Sequence, residues 1–261
     1  MSNKESLSKT VLVAFSVCLV CAIFVSGAAV VLKPMQERNQ LVDVQRNVLS
    51  AAGLLQEGVS IEEQFEIIET RVVDLRTGVF STEIDPTTFD QFKAAKSGDP
   101  DISTSFDELD DPDSVKIGSR EDYSVVYIVR DGSEIDKLIL PVRGYGLWST
   151  LYGFIALDSN LNTVSGLGFY QHGETPGLGG EVDNVEWKQI WIGKEVYNAD
   201  GDVALSVIKG QVDDSRDGSE HQVDGLSGAT LTSKGVHNLV QFWMGKSGYG
   251  PFLTNLKEGE A

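Results

Sequence analysis

Between Lys9 and Lys33 the chain runs from Val11 to Leu32 without a single charged residue, a stretch of 22. As a helix rising about 1.5 Å per residue, it covers roughly 33 Å. The hydrocarbon core of a bilayer is about 30 Å thick, so the segment is long enough to cross it. Ser26, Gly27, Ala28 and Ala29 are small enough for a signal-peptide cleavage site, but a signal's apolar region is only about 7 to 15 residues long, which favours a retained anchor. Ala14, Cys18, Ala22 and Ser26 recur every four residues. They are either a chance of composition or a stripe on which another membrane helix can pack closely. Cys18 and Cys21 are the only cysteines and both fall inside this segment, so they read as apolar thiols and leave the rest of the chain without a disulfide or thiolate site. Lys4 and Lys9 on one side nearly balance Lys33 and Arg38 on the other. The positive-inside rule is close to a tie, and the reading adopted keeps a short tail, residues 1–10, on the cytoplasmic side.

Charge is distributed unevenly about this anchor. The chain carries a net −18, yet Lys4, Glu5 and Lys9 leave the first 32 residues at +1, so the remainder holds −19. Such a surface repels phosphate backbones, which excludes nucleic acid as a partner. With 41% hydrophobic residues and only 7 prolines, the remainder has material for a folded core.

Past the anchor, Pro34 marks an expected junction, and Leu41, Val44, Val48, Ala51, Ala52 and Leu55 keep a helical period. Ser60 and Glu63 have the spacing of a capping box, opening a second short helix. Residues 71–75 and 79–80 read as extended, and 86–118 as a loop region whose acidic part, 99–113, is a solvated excursion. From about Ser119 the texture changes to short β-rich runs at 123–129, 138–142, 151–157 and 163–170, with a further strand expected at 203–208. A helix from Thr230 to Met244 follows, stopped by Gly245. The organisation read from this is a tail at 1–10, a transmembrane helix at 11–32, a helical and acidic-loop region at 33–119, and an α+β domain with an antiparallel sheet at 120–255.

Three patterns could carry chemistry. Asp213 to Asp224 has acidic residues at several positions of a twelve-residue calcium loop, but it lacks the terminal Glu and a preceding helix, so no metal is assigned there. Gly173 to Gly180 fits no nucleotide fingerprint. It is either a surface turn or a place where backbone approaches a ligand, with Glu174, Thr175 and Leu178 as the groups on offer. Asp224 to Ser233 places hydroxyls and the flexible Gly228 at the start of the last helix, which serves either as a Ser/Thr cap or as an anion site for a phosphate. No nucleophile-and-base constellation competes with these, and no catalytic residue is assigned.

The segment Ser227-Gly-Ala-Thr230, preceded by Asp224 and followed by Leu-Thr-Ser, resembles the site at which a flavin transferase joins FMN to a threonine. Together with the loop Glu174-Thr-Pro-Gly-Leu-Gly179 and the single anchor, it is similar to the NqrC family of FMN-binding proteins in the sodium-translocating NADH:quinone oxidoreductases, with the RnfG family of the Rnf electron-transport complex as its relative. The resemblance implies an electron carrier with covalent FMN on Thr230, surrounded by the motif residues Ser227, Gly228 and Ala229. Thr232 is the competing acceptor, and Asp224 would serve recognition by the transferase. It further implies that Glu174, Thr175, Gly177, Leu178 and Gly179 line the flavin, with Leu147, Trp148 and Ser149 as a further wall. Its partners would be the other membrane subunits of the redox complex and, during maturation, the flavin transferase. The domain would lie on the periplasmic side of the bacterial inner membrane. A non-redox anchored adaptor, in which 227–233 is only a helix cap, is the reading from a different class.

Overall fold

The computed structural model describes residues 6–109 and 115–261, and the chain separates into two compact units that meet between Asp43 and Val44. The expected tail therefore falls mostly outside the described residues, as does the end of the acidic stretch at 110–113.

The first unit is helical. Helix α1 (Leu7–Ala51) contains an 18-residue window of mean hydropathy 2.6, fully exposed, and is long and apolar enough to cross a membrane. The hydroxyls of Ser16 and Ser26 donate to the carbonyls of Leu12 and Ala22, four residues back. Each polar side chain is thus satisfied inside its own helix, as an apolar solvent requires. Pro34 does not end the helix as expected: α1 passes through it, losing one intrahelical hydrogen bond while the turns on either side hold.

The second unit is built on one antiparallel sheet. After α2 (Ile61–Phe65), capped by Ser60 Oγ accepting from Glu63 N, come β1 (Ile68–Asp74) and β2 (Val79–Ser81). Residues 86–118 are not the plain loop expected. They form α3 (Gln91–Ser97), with Asp90 as its N-cap and Gly98 in the left-handed conformation at its end, and β3 (Ser103–Ser105), which pairs with β4 (Ser119–Glu121). Strands β5 (Tyr123–Asp131), β6 (Glu134–Tyr145), β7 (Thr150–Asp158) and β8 (Val164–Gln171) complete a six-stranded sheet ordered β2-β1-β5-β6-β7-β8. The sheet therefore takes its first two strands from the segment expected to precede the domain, and the compact unit that holds it begins at Val44. Pro141 is accommodated inside β6 because the ladder with β5 ends at Tyr127 opposite Ile139, two residues earlier.

Alternation along the strands gives the sheet two apolar faces. On one, Leu138, Leu140 and Val142 of β6 and Leu151, Ile155 and Leu157 of β7 pack with helices α5 (Thr230–Met244) and α6 (Gly250–Glu258). On the other, Ile139, Phe154 and Ala156 meet Val48, Leu49, Ala51 and Ala52, so the last turns of α1 cover the sheet. Gly166 of β8 permits this, because a Cβ there would run into the Ala51 carbonyl oxygen. Between β8 and α5 lie α4 (Val185–Gln189) and the two-residue strands β9 (Ser206–Val207) and β10 (Gln222–Val223), which pair in parallel. The strand expected at 203–208 is thus shorter.

Candidate functional site

Three segments distant in sequence converge at one end of the sheet: the turn between β6 and β7, the Gly-rich loop after β8, and the first turn of α5. Glu174 joins them. It is 5% exposed, and its Oε1 accepts hydrogen bonds from the backbone N–H groups of Leu147 (3.1 Å), Trp148 (2.9 Å) and Ser149 (3.2 Å). Its Oε2 accepts from Thr232 Oγ1 at 2.7 Å. Three successive N–H groups form a concave seat for an anion, and the protein fills it with its own carboxylate. Burial pushes the Glu174 carboxyl up, but the hydrogen bonds from Trp148, Thr232, Ser149 and Leu147 together prevail and hold it below the ordinary carboxylate range. Ser149 Oγ accepts from Gly173 N at 2.6 Å and ties the same turn to the start of the loop.

Glycine is required where these segments touch. A Cβ on Gly179 would lie 2.5 Å from Thr232 Oγ1 and 2.7 Å from Glu174 Oε2, and one on Gly146 would lie 2.6 Å from Glu174 Oε1. Gly177 (φ 75°) and Gly228 (φ 73°) adopt the left-handed conformation, and Leu178 Cδ2 reaches within 3.1 Å of the place a Gly228 Cβ would take. The loop therefore abuts the Ser227–Thr230 motif directly.

The threonines at the start of α5 differ sharply. Thr230, the first residue of the helix, is exposed, whereas Thr232 is 0% exposed with its hydroxyl committed to Glu174. Ser227 and Thr175 are exposed and Ala229 is buried. Ala229 occupies the N-cap position, and no side chain caps the helix. Ser233 Oγ instead accepts from Leu226 N, and Asp224 Oδ1 accepts from Val212 N. The Ser/Thr cap allowed by the sequence is therefore not formed, leaving the positive end of a fifteen-residue helix free beside Thr230. Around it stand exposed apolar groups: Trp148 at 65%, Leu231 at 58%, Leu178 at 45% and Leu147 at 37%. Trp148 is thus a surface group and not core, unlike Trp187, Trp191 and Trp243.

The calcium-like stretch does not assemble. Asp213 accepts from Ser215 and pairs with Arg216, and among the described residues no cluster of three or more His, Cys, Asp or Glu side chains could hold a metal. Lys209, Lys234 and His237, which line a cavity beside Thr230, belong to no motif. Lys234 lies four residues after Thr230, one helical turn along the same face, which is a legible signal; Lys209 arrives from a distant loop and leaves none.

The FMN-binding domain family matches residues 146–245, a range that holds all three converging segments from Gly146 onward. Over 265 aligned residues the chain is 56% identical to NqrC of the Na(+)-translocating NADH-quinone reductase of Pseudomonas aeruginosa, covering 100% of each. It is 46% identical to the protein of the same name from Vibrio alginolyticus, covering 99% of this chain and 98% of the other. Among solved structures, that of NqrC from Shewanella oneidensis superposes with a TM-score of 0.75 at 32% identity, covering 86% of this chain and 99% of that one.

Proposed function

The chain belongs to the NqrC family of the Na(+)-translocating NADH-quinone reductases, and from that premise we propose that it is the membrane-anchored electron carrier of such a complex, holding FMN through a phosphoester on Thr230. Membership resolves the choice between NqrC and its RnfG-type relative. The observation that carries the covalent reading is the contrast between the two threonines. Thr230 offers a free hydroxyl at an uncapped helix N-terminus, while the Thr232 hydroxyl is buried and already bonded. In maturation, the Thr230 Oγ–phosphorus bond forms as the pyrophosphate of an FAD donor breaks. AMP departs and the hydroxyl proton passes to solvent.

When bound, FMN supplies one-electron exchange, and the protein sets its position and surroundings. The residues present suit it. The exposed side chains of Leu147, Trp148 and Leu178 would flank an apolar ring, and the backbone at Gly177, Gly179 and Gly228 allows close approach. Thr175 lies exposed on the same loop. Glu174 serves as the clasp that holds this wall in place, through Leu147, Trp148 and Ser149. The partners are the remaining membrane subunits of the complex and the flavin transferase. Helix α1 anchors the chain, and the acidic domain lies on the periplasmic side, an orientation that a membrane-impermeant thiol reagent on a cysteine introduced in the domain checks.

The test is denaturing electrophoresis under ultraviolet light after expression with the transferase. A fluorescent band is expected from the native chain and none from Thr230→Val. A dark native band sinks the covalent reading.

A further inference from the structure

The tip of the Gly-rich loop, residues 175–178, is exposed and is braced from within by hydrogen bonds from Leu178 N and Gly180 N to Thr175 O. Its position is set at its neck. Val182, 0% exposed, fixes the far end in the core, and across the neck His172 Nε2 and Asp183 Oδ2 lie 2.8 Å apart. Lys188 of α4 approaches the other oxygen of Asp183 at 3.6 Å. Residues 172–183 thus close on themselves, as compact surface loops that carry function often do.

The other ring nitrogen carries the sharper constraint. His172 is half-buried, and its Nδ1 accepts a hydrogen bond from Glu174 N at 3.2 Å. A backbone N–H can only donate, so Nδ1 holds a lone pair, and the single proton of the neutral ring sits on Nε2 and donates to Asp183. One tautomer therefore satisfies both contacts. A second proton would keep the Asp183 contact, as an ion pair, but would set two donors facing each other at Glu174. Glu174 is where this matters: Leu147, Trp148, Ser149 and Thr232 fix its side chain, and His172 fixes its backbone. Imidazole is the side chain whose charge ordinarily changes between about pH 5 and pH 8. Of the charged groups around this ring, Asp183 favours the second proton and Lys188 opposes it, while the Glu174 carboxylate is turned towards the N–H groups of the β6–β7 turn.

Resting on the reading that this loop lines the flavin, we propose that His172 is a positioning residue for the flavin, acting through the Glu174 backbone. Neutral, with Asp183 on Nε2, it holds the start of the loop in place; protonated on Nδ1, it releases Glu174 N and loosens the wall that Glu174 clasps. The surroundings of the flavin are thereby coupled to the pH of the compartment that the domain faces.

The experiment uses the full-length chain in detergent, made with and without the transferase. Without flavin, the imidazole ¹⁵N resonances of His172 are expected to show the Nε2–H tautomer at about pH 8. Between about pH 8 and pH 5, exchange of the Glu174 amide hydrogen, corrected for its intrinsic dependence on pH, is expected to speed up about fivefold, the equivalent of one ordinary hydrogen bond. In His172→Asn the carboxamide oxygen replaces Nδ1 as the acceptor, in the manner of an Asx turn, and does not titrate. The amide then stays protected at both pH values, whereas His172→Phe leaves it unprotected at both. In the flavinylated chain, quenching of the flavin by iodide follows the same pattern, rising on acidification in the native protein more than in His172→Asn. An Nδ1–H tautomer at about pH 8, or the same amide response in the native chain and His172→Asn, overturns the role of His172. An amide that responds as expected beside a flavin whose quenching does not overturns the positioning of the flavin by this loop. A native chain with no fluorescent band overturns the covalent reading; the nitrogen and amide measurements, made without flavin, are untouched by that failure and decide the hold of His172 on Glu174 separately.

Discussion

At the residue scale the site turns on Thr230, Thr232 and Glu174, and each makes a different demand. Thr232→Val removes a buried hydroxyl that donates to Glu174 Oε2. A lost hydrogen bond to a charged acceptor is worth about 1.5–3 kcal/mol, so thermal stability is expected to fall while the fluorescent band survives. Thr230→Val should show the reverse, since an exposed substitution changes stability by about 0.5 kcal/mol or less. Glu174→Gln leaves three backbone N–H groups facing one amide oxygen and an NH₂, with an expected loss of about 3 kcal/mol. The sign with pH follows from the lowered pKa of Glu174. A depressed carboxylate contributes stability that is fully present above its unfolded value of about 4.5 and is lost as pH falls through the lower folded value. The gap in melting temperature between the native chain and Glu174→Gln is therefore expected to be constant from pH 7 to about pH 5 and to close in more acidic buffer, where the native side chain also becomes uncharged. A gap that persisted in buffer acidic enough to protonate the native side chain would show that shape, not charge, holds the clasp. That Thr230 opens the last helix was legible from the apolar face that follows it. That Glu174 faces its own backbone was not, because the three N–H groups it binds lie about 26 residues away and no local pattern announces them.

Among the elements, α5 is the one whose position makes the site. Gly235 sits where the helix crosses the end of β6: a Cβ would lie 2.5 Å from the Tyr145 carbonyl oxygen and 2.9 Å from Gly146 Cα. Two effects oppose each other on substitution by Ala. Helix propensity favours it by about 1 kcal/mol, but the clash is with backbone, which cannot rotate away, and overpacking of this kind costs typically about 1–3 kcal/mol. The clash wins, so Gly235→Ala is expected to lower the melting temperature, and because it pushes α5 from the turn that Glu174 clasps, to reduce flavin incorporation as well. A more stable variant with full incorporation would contradict the close approach. Helix α5 itself was readable to the residue, from its apolar face and Gly245. So were the central strands, since β5 to β8 each contain the run expected, to within a residue at the start of β8. What escaped were short pieces stabilised by contacts outside themselves. Helix α3 buries only Gln91, Ala94 and Ala95; β3 and β4 pair over three residues. Helix α6 is held through Phe252 against Phe80, with ring centroids 5.1 Å apart. Periodicity over so few residues is too weak to read.

For the whole molecule, the question is where the folded unit begins. Sequence texture changes near Ser119, and that change is real, since the long strands start there. It does not mark where the sheet begins, because β1 and β2 join the same sheet from upstream, and an antiparallel sheet records its strand order only in pairing. The far face of that sheet is apolar at Ile68, Ile139, Phe154 and Ala156, and Val48, Leu49, Ala51 and Ala52 cover it. Val48 and Leu49 are 0% exposed, and full burial of each such side chain contributes about 1.5–3 kcal/mol. Together they amount to about 3–6 kcal/mol, a large share of the roughly 5–15 kcal/mol that typically separates folded from unfolded domains. Two truncations distinguish this boundary from one at 119/120. A chain beginning at Val44 keeps the covering turns, and with the apolar segment gone it is expected to be soluble without detergent and to melt in one cooperative step. A chain beginning at Gly53 bares the apolar face and is expected to aggregate or to melt lower by about 10 °C or more, since each kcal/mol shifts the midpoint of a domain this size by roughly 2–4 °C. Equal melting temperatures for the two would mean that the last turns of α1 are only a connector, and that the sheet tolerates one face open to water as many antiparallel sheets do.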